Sequence, residues 1–257
     1  MTGLAPSPLL PLPPLHPARL LRRYKRFLAD AVLDDGTPIT AHIANPGAMT
    51  GLAEPEQRIW LSHHTDPRRK LAWSWELSDT STGLVHVHTG RANALAAAAI
   101  RAGQIPALTG YAQLRAEVAD GAGSRIDLLL TEASRPTCYV EIKSVTLRVG
   151  TRACFPDAVT ARGTRHLQAL TRLVGLGHRA VLLFLIQRAD CHDFAPAAWI
   201  DPVYSTALRE AMQAGVEILC QSCHISLMGL TMGGALPLRL DPPLQAPLFR
   251  LDQKGSE

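Results

Sequence analysis

The sequence predicts two parts: a small all-β barrel of five short strands, then an α/β domain built on a central mixed sheet. Three observations predict this. Across residues 19–89, short apolar runs alternate with turn residues at regular spacing. From residue 90 to 236, stretches of helical composition alternate with strand-like runs. One of these, AVLLFLIQ at Ala180–Gln187, is apolar without a break, as a strand covered on both faces must be.

The flanks differ. Residues 1–18 are Pro-rich and are expected to be a disordered extension, and residues 237–257 a Pro-rich irregular tail. The N-terminus lacks a basic region and prolines interrupt its leucines, so it does not read as a signal peptide. No apolar run approaches the ~18 residues of a membrane span, so no membrane association is expected. The chain has 257 residues, 47% of them hydrophobic, enough for a packed core. Five cysteines, an odd number, suit a reducing cytoplasm better than a disulfide framework. A formal net charge of +4 is compatible with an anionic partner. The sequence leaves a homodimer open.

In the first part, Ala18–Leu33 (ARLLRRYKRFLADAVL) interleaves Arg22, Arg23, Tyr24, Lys25, Arg26 and Phe27. Cations beside rings suit DNA: phosphate contacts plus a stacking platform. They equally suit a strand with one solvated cationic face. Thr37–Ile43, Gln57–His63, Lys70–Leu77 and Leu84–Thr89 complete the set of strands. Turns at Asp34–Gly36, Asn45–Gly47, Asp66-Pro67 and Ser78–Gly83 separate them. That spacing suits an OB-type barrel, a fold that commonly holds single strands or oligonucleotides.

In the second part, Asn93–Gln104 has helical composition. Leu114–Val118 reads as a strand, turning at Asp120–Gly123 into a strand over Arg125–Leu130. Ser134 and Pro136 mark the next turn, before a strand over Cys138–Val145. A helix is expected from about Thr160 to Gly175–Gly177, with Leu167, Leu170, Leu173 and Val174 as its apolar stripe. Arg165 falls on its other side and His166 near the leucine edge; Asp157 reads as an N-cap. Pro202–Ala214 is a further helix, stopped by Gly215, and Val216–Cys220 a last strand.

The chemistry concentrates in SRIDLLLTEASRPTCYVEIKSVTL, residues 124–147. Glu141 and Lys143, two apart in a strand, emerge on one face. Asp127 joins them if the two strands pair. Carboxylates in an apolar sheet are costly unless they are paired or bind a metal. Two carboxylates can hold Mg²⁺ or Mn²⁺, and a lysine beside them can stabilise a phosphoryl transition state. The plainer alternative is a Glu141–Lys143 salt bridge on a half-exposed strand.

The D…E-x-K spacing resembles the PD-(D/E)XK nuclease superfamily. The runs RRYKRFLAD, NPGAMTG, SRIDLLL, CYVEIKSVTL and FPDAVTARGTRHLQAL, in this order, resemble the sugar fermentation stimulation protein A family from about Arg19 to Leu240. The resemblance implies an OB-like N-terminal domain, a PD-(D/E)XK nuclease-like C-terminal domain and DNA binding. It implies either a metal-dependent DNA phosphodiesterase or a non-cleaving regulator linked to maltose metabolism. It maps Asp127 and Glu141 to metal-binding acids and Lys143 to the lysine of E-x-K. It puts Arg162 and His166 near the mouth of the site, with Arg162 contacting phosphate and His166 contacting phosphate or moving a proton, and it counts Arg165 with them among the DNA-binding residues. Two departures stand out. AHIANPGAM lacks the cysteine and first proline of the family's H-C-P-N-T-G turn. The helix Asn93–Gln104 lacks the acid many superfamily nucleases carry there, which leaves Glu117 as the nearest candidate for a further metal ligand. Cys220-Gln-Ser-Cys223-His224 is formally a haem-attachment or half-zinc pattern, but a lone C-x-x-C is weak evidence, and neither haem nor zinc is expected.

Overall fold

The computed structural model describes residues 10–119 and 125–240. Its strands begin with β1 (Leu10–Pro11) and β2 (Leu15–Tyr24). The barrel continues through β3 (Leu28–Leu33), β4 (Pro38–His42), β5 (Arg58–His63) and β6 (Trp73–Thr80). Alternate residues of a strand share a face, so Ala18, Leu20, Ala29, Ala31, Ala41, Ile59 and Leu61 all turn inward around Trp75. Small alanines leave the room that the one large indole fills. The strands pair in the order β4–β3–β2–β5–β6. Parallel pairing of Ala41 with Trp73 and His42 with Ser74 closes the five-stranded ring. β7 (Gly83–His86) pairs with β6 outside the ring.

One expected strand proves to be two. Ala18–Leu33 is a hairpin, β2–β3, turning at Lys25–Phe27. Lys25 (φ 48°) and Arg26 (φ 64°) occupy the left-handed region without a Gly, Asn or Pro to mark the turn.

A single 3₁₀ turn, Thr89–Arg91, leads into α1 (Ala92–Arg101). Then come β8 (Gln113–Ala119), β9 (Arg125–Thr131), β10 (Cys138–Val145), β11 (Leu147–Val149) and β12 (Arg152–Phe155). The rest is α2 (Ala161–Gly175), β13 (Arg179–Ile186), β14 (Asp193–Pro196), α3 (Pro202–Gln213), β15 (Glu217–Ser226) and β16 (Gly229–Ala235). The central sheet runs β1-β16-β15-β13-β10-β9-β8, with β10, β13 and β15 parallel. α1 covers one face, over Leu128, Leu130, Val140 and Val181. α2 and α3 cover the other, over Val145, Leu182, Phe184 and Ile186. The apolar run on β13 is therefore buried on both sides, as its composition requires. The short strands β11, β12 and β14 form a separate sheet that the sequence pattern does not reveal.

The expected N-terminal extension is partly ordered. Residues 10–18 lie in or between strands, and β1 pairs with β16, Leu10 opposite Leu230. An edge strand accepts proline because one side of it needs no N–H donor. Residues 1–9 lie outside the described residues. At the other end, Pro237 accepts from the Phe194 N–H at 3.0 Å and the Arg239 N–H donates to Phe194 O at 2.8 Å. Thus the first residues of the C-terminal tail lie along β14; residues 241–257 and the turn Asp120–Gly123 are outside the described residues. Among the described residues no helix is long and apolar enough to cross a membrane.

Cys220 packs in the core under α2 and α3, whereas Cys223 packs in the core under α1. The two thiols of C-x-x-C therefore sit on opposite faces of the sheet and cannot grip one metal or one haem. Burial pushes Cys220 up to about 12 and raises Cys223 as well.

Candidate functional site

The site opens where two strands part. The antiparallel ladder of β9 and β10 ends at Val140 opposite Leu128. One residue further, Asp127 turns its carboxylate into the gap, and Oδ2 accepts the Ile142 N–H at 2.7 Å. Asn93, the second residue of α1, donates from Nδ2 to Asp127 Oδ1 at 2.8 Å. Burial and the neighbouring Glu141 charge raise the Asp127 carboxyl above its ordinary value, against these two hydrogen bonds.

Glu141 and Lys143 share the β10 face that looks toward α2. Lys143 Nζ donates to Glu141 Oε1 at 2.7 Å and lies 3.2 Å from His166 Nδ1. His166 Nδ1 also bonds Glu141 Oε1. Arg162 Nε donates to His166 Nε2 at 3.2 Å. A guanidinium has only donors, so Nε2 accepts, which assigns the ring proton to Nδ1 and makes it the donor to Glu141. Burial alone would raise the Glu141 pKa, but the His166 hydrogen bond and the Lys143 charge outweigh it and hold the carboxyl below its ordinary value. Glu141 Oε2 is buried and has no hydrogen-bond partner. A buried carboxylate oxygen left unpaired is costly, and a hard cation is the partner that would satisfy it.

Both domains line the cavity, which holds about 330 Å³. The α/β domain contributes Asn93, Asp127, Glu141, Lys143, Arg162 and His166; the barrel contributes Arg26, Asn45, Pro46 and Gly47. Arg23 sets this barrel wall. Its guanidinium donates to the carbonyls of Arg26, Asn45, Gly47 and Ala48 at 2.7–3.2 Å. Asn45 Oδ1 accepts the Gly47 N–H at 2.9 Å, closing the turn. Asp157, from the loop before α2, accepts the Met49 N–H at 3.2 Å. It is therefore a clamp between the domains; the N-cap of α2 is Thr160, which accepts from Gly163 N. A Cβ on Gly47 would overlap the Asp157 carboxylate. Gly47→Ala is thus expected to displace Asp157 and lower stability by about 1–3 kcal/mol. Thermal melting of the variant beside Asp157→Ala measures it, and an unchanged melting temperature would contradict the clamp.

Comparison with known proteins gives the lineage. Residues 90–229 match the family model described as the sugar fermentation stimulation protein RE domain, and residues 21–87 match the SfsA N-terminal OB domain. The chain belongs to the SfsA family. The sugar fermentation stimulation protein homolog of Paramagnetospirillum magneticum is 51% identical over 88% of this chain and 96% of its own length. The homolog of Roseobacter denitrificans is 51% identical over 88% of this chain and 97% of its own. The structure of Pyrococcus furiosus SfsA in complex with Ca²⁺ superposes with TM-score 0.83 at 27% identity, over 90% of this chain and 99% of that one.

In this SfsA-family chain, Asp127, Glu141, Lys143, Arg162 and His166 meet at one cavity, while other expected site residues lie elsewhere. Glu117 is exposed on the edge strand β8, outside the cavity, and its backbone leaves the strand conformation at φ 56°. It is level with Asp127 in the ladder but one strand too far out. Arg165 is exposed on α2 and does not line the cavity. His166 lines it, is only 7% exposed and braces Glu141. Arg22 pairs with Asp30 at 2.9 Å and stacks over Tyr24, whose hydroxyl also bonds Asp30; Arg23 is committed to carbonyls. Of that cationic run, Arg26 reaches the cavity wall, and Lys25 is exposed at the turn. Asn93 carries no charge to mark it in the sequence, since its amide stands on the helix where an acid is the expected signal.

Proposed function

We propose that this SfsA-family protein is a metal-dependent DNA phosphodiesterase with its site at Asp127, Glu141 and Lys143. The observation that carries the reading is the buried, unpartnered Glu141 Oε2 beside the Asp127 carboxylate in one open cavity. Among the described residues no set of three His, Cys, Asp or Glu side chains is placed to enclose a metal. That excludes a closed protein cage but suits Mg²⁺ or Mn²⁺, hard ions that Mg²⁺-type sites hold with one or two carboxylates plus waters. The Pyrococcus furiosus relative was solved with Ca²⁺, another oxygen-seeking ion.

Such a cation supplies Lewis-acid polarisation of the phosphodiester and a water of lowered pKa. The chain's own residues do the rest. Asn93 and the Ile142 N–H fix both oxygens of Asp127, leaving one lone pair on each for a ligand. His166 holds Glu141 Oε1, which leaves the unpartnered Oε2 for a cation. Lys143 Nζ brings a positive charge to where a pentavalent phosphoryl group gains negative charge. Arg162, exposed at the rim, is suited to the flanking phosphate.

Incubation of the full-length protein with single- and double-stranded DNA in Mg²⁺ or Mn²⁺ tests this; chelation is expected to stop cleavage. The second reading is a DNA-binding regulator of sugar metabolism that does not cleave. Asn93, a neutral amide where many related nucleases place an acid, favours it. Binding without cleavage in either metal would select that reading.

A further inference from the structure

Two exposed valines stand beside the cavity without a part in the reaction proposed above. Val159 is 77% exposed and Val203 66%. Val159 lines the cavity from the loop between β12 and α2, and Val203 is the second residue of α3. The buried Asp201 carboxylate holds the two together: Oδ2 accepts the Thr160 N–H at 2.8 Å and Oδ1 the Tyr204 N–H at 2.9 Å. Each valine directly precedes one of these residues.

The loop that presents Val159 is fastened on both sides. Asp157 accepts the Met49 N–H of the barrel, and Thr160 accepts the Gly163 N–H at 3.0 Å as well as donating to Asp201. Ordering a loop costs conformational entropy, and a valine left in water returns none of it through burial. Valine is also stiff at χ1. The result is a rigid apolar tip at the edge of a polar cavity.

Its neighbours indicate what it meets. Arg26 from the barrel and Arg162 from α2 line the same cavity, and Arg165 is exposed one turn further along α2. A ligand matched to an apolar tip among guanidinium groups carries negative charges spaced around flat apolar groups, as the phosphates and bases of DNA do. The acid beneath is recessed, with Glu141 only 2% exposed. Duplex DNA is stiff over a few base pairs, so a phosphate reaches that depth where a step opens and the backbone bends.

From this we infer that Val159, with Val203 beside it, is a wedge that enters a base step of duplex DNA next to the phosphate bound at the Asp127–Glu141 cavity. The inference rests on the phosphodiesterase reading and names its substrate class: duplex DNA, unstacked and kinked at one step. An apolar side chain between two base pairs unstacks them and bends the helix axis. Here the bend carries the adjoining phosphate inward, and the arginines take the phosphates on either side.

The test uses duplexes that carry 2-aminopurine, which fluoresces when unstacked, at successive positions, with full-length protein in EDTA so that nothing is cleaved. Native protein is expected to raise the fluorescence about twofold. Val159→Ser, a change at a solvent-facing position, is expected to abolish the rise. Its affinity by anisotropy should stay within about threefold of native, because phosphate contacts carry most of the binding. Val159→Leu, still apolar, is expected to keep the rise. In Mg²⁺, Val159→Ser is expected to cut a matched duplex about tenfold more slowly, and a duplex with a mismatched step at nearly the native rate, since that step opens without help. No rise with native protein would overturn the wedge. So would a rise undiminished in Val159→Ser, which would leave the valines to a protein partner. Cleavage without a rise would sink this inference alone. A Val159-dependent rise without cleavage in either metal would sink the enzyme reading and leave the wedge standing.

Discussion

Asp127→Asn and Lys143→Ala are each expected to lower metal-dependent DNA cleavage by a factor on the order of a hundred to a thousand, without weakening DNA binding measured in EDTA. The asymmetry follows from what each side chain does. Asparagine keeps an acceptor for the Ile142 N–H, which Asp127 Oδ2 takes at 2.7 Å, so the strand opening survives. What goes is one of two negative charges beside the place for a cation, and Mn²⁺ affinity in a calorimetric titration should fall with it. Removing a carboxylate also removes repulsion of phosphate, so cation-free DNA binding should stay level or tighten. Lys143→Ala deletes the ammonium that lies 2.7 Å from Glu141 Oε1 and leaves His166 as the remaining partner of that oxygen. If the triad were merely a salt bridge in a half-buried strand, both variants would lose stability and keep whatever cleavage the protein has. Full cleavage by either variant would end the assignment.

The parts legible in the sequence are those in which one physical demand leaves one pattern. An unbroken apolar run must be a covered strand, and β13 is one. Residues two apart in a strand must share a face, so the spacing of Glu141 and Lys143 is enough to set them side by side. A barrel of short strands is legible from turn spacing. The parts that escape depend on pairings between distant segments. Lys25 and Arg26 turn the chain with positive φ and without any turn residue, which hides the β2–β3 hairpin. The proline-rich start reads as disorder, yet Leu10 of β1 pairs with Leu230 of β16, at the far end of the chain. Asp157 sits one residue past a proline, where an N-cap is a fair local reading, but its partner is the Met49 N–H on the barrel. Glu117 stands out by its charge, whereas the side chain that hydrogen-bonds Asp127 is the uncharged Asn93.

Glu76→Ala is expected to cost about 3–5 kcal/mol, a larger loss of stability than Gly47→Ala. Glu76 lies on β6 and is 0% exposed. It accepts from Arg91 Nε at 2.7 Å, Arg91 Nη2 at 2.9 Å and Ser62 Oγ at 2.7 Å. The adjacent His86 is fully buried, and burial pushes it down to about 3, so at neutral pH it is uncharged and Arg91 is the counter-ion. Alanine would leave the largely buried Arg91 guanidinium without its counter-ion and the Ser62 hydroxyl with His64 Nε2 as its remaining partner. At this chain length each kcal/mol is worth roughly 2–4 °C, so the melting temperature should fall by about ten degrees. Glu76→Gln, which keeps the shape and one acceptor, should lose less. The pH dependence has a definite sign. Burial acts to raise the Glu76 pKa, but the Arg91 and Ser62 hydrogen bonds prevail and lower it below the ordinary 4.5. Its stabilisation is therefore fully present above about pH 4.5 and is lost as pH falls through the lower folded value. The gap in melting temperature between native protein and Glu76→Ala should narrow in that acid range, and a gap constant with pH would refute the ion pair. The consequence reaches the Asp127–Glu141 cavity through the chain itself. Arg91 ends the 3₁₀ turn that leads into α1, and Asn93 stands two residues later against Asp127. A barrel residue thus anchors the turn that positions Asn93, the donor to Asp127, so on the proposed metal site Glu76→Ala should weaken Mn²⁺ binding as well as folding.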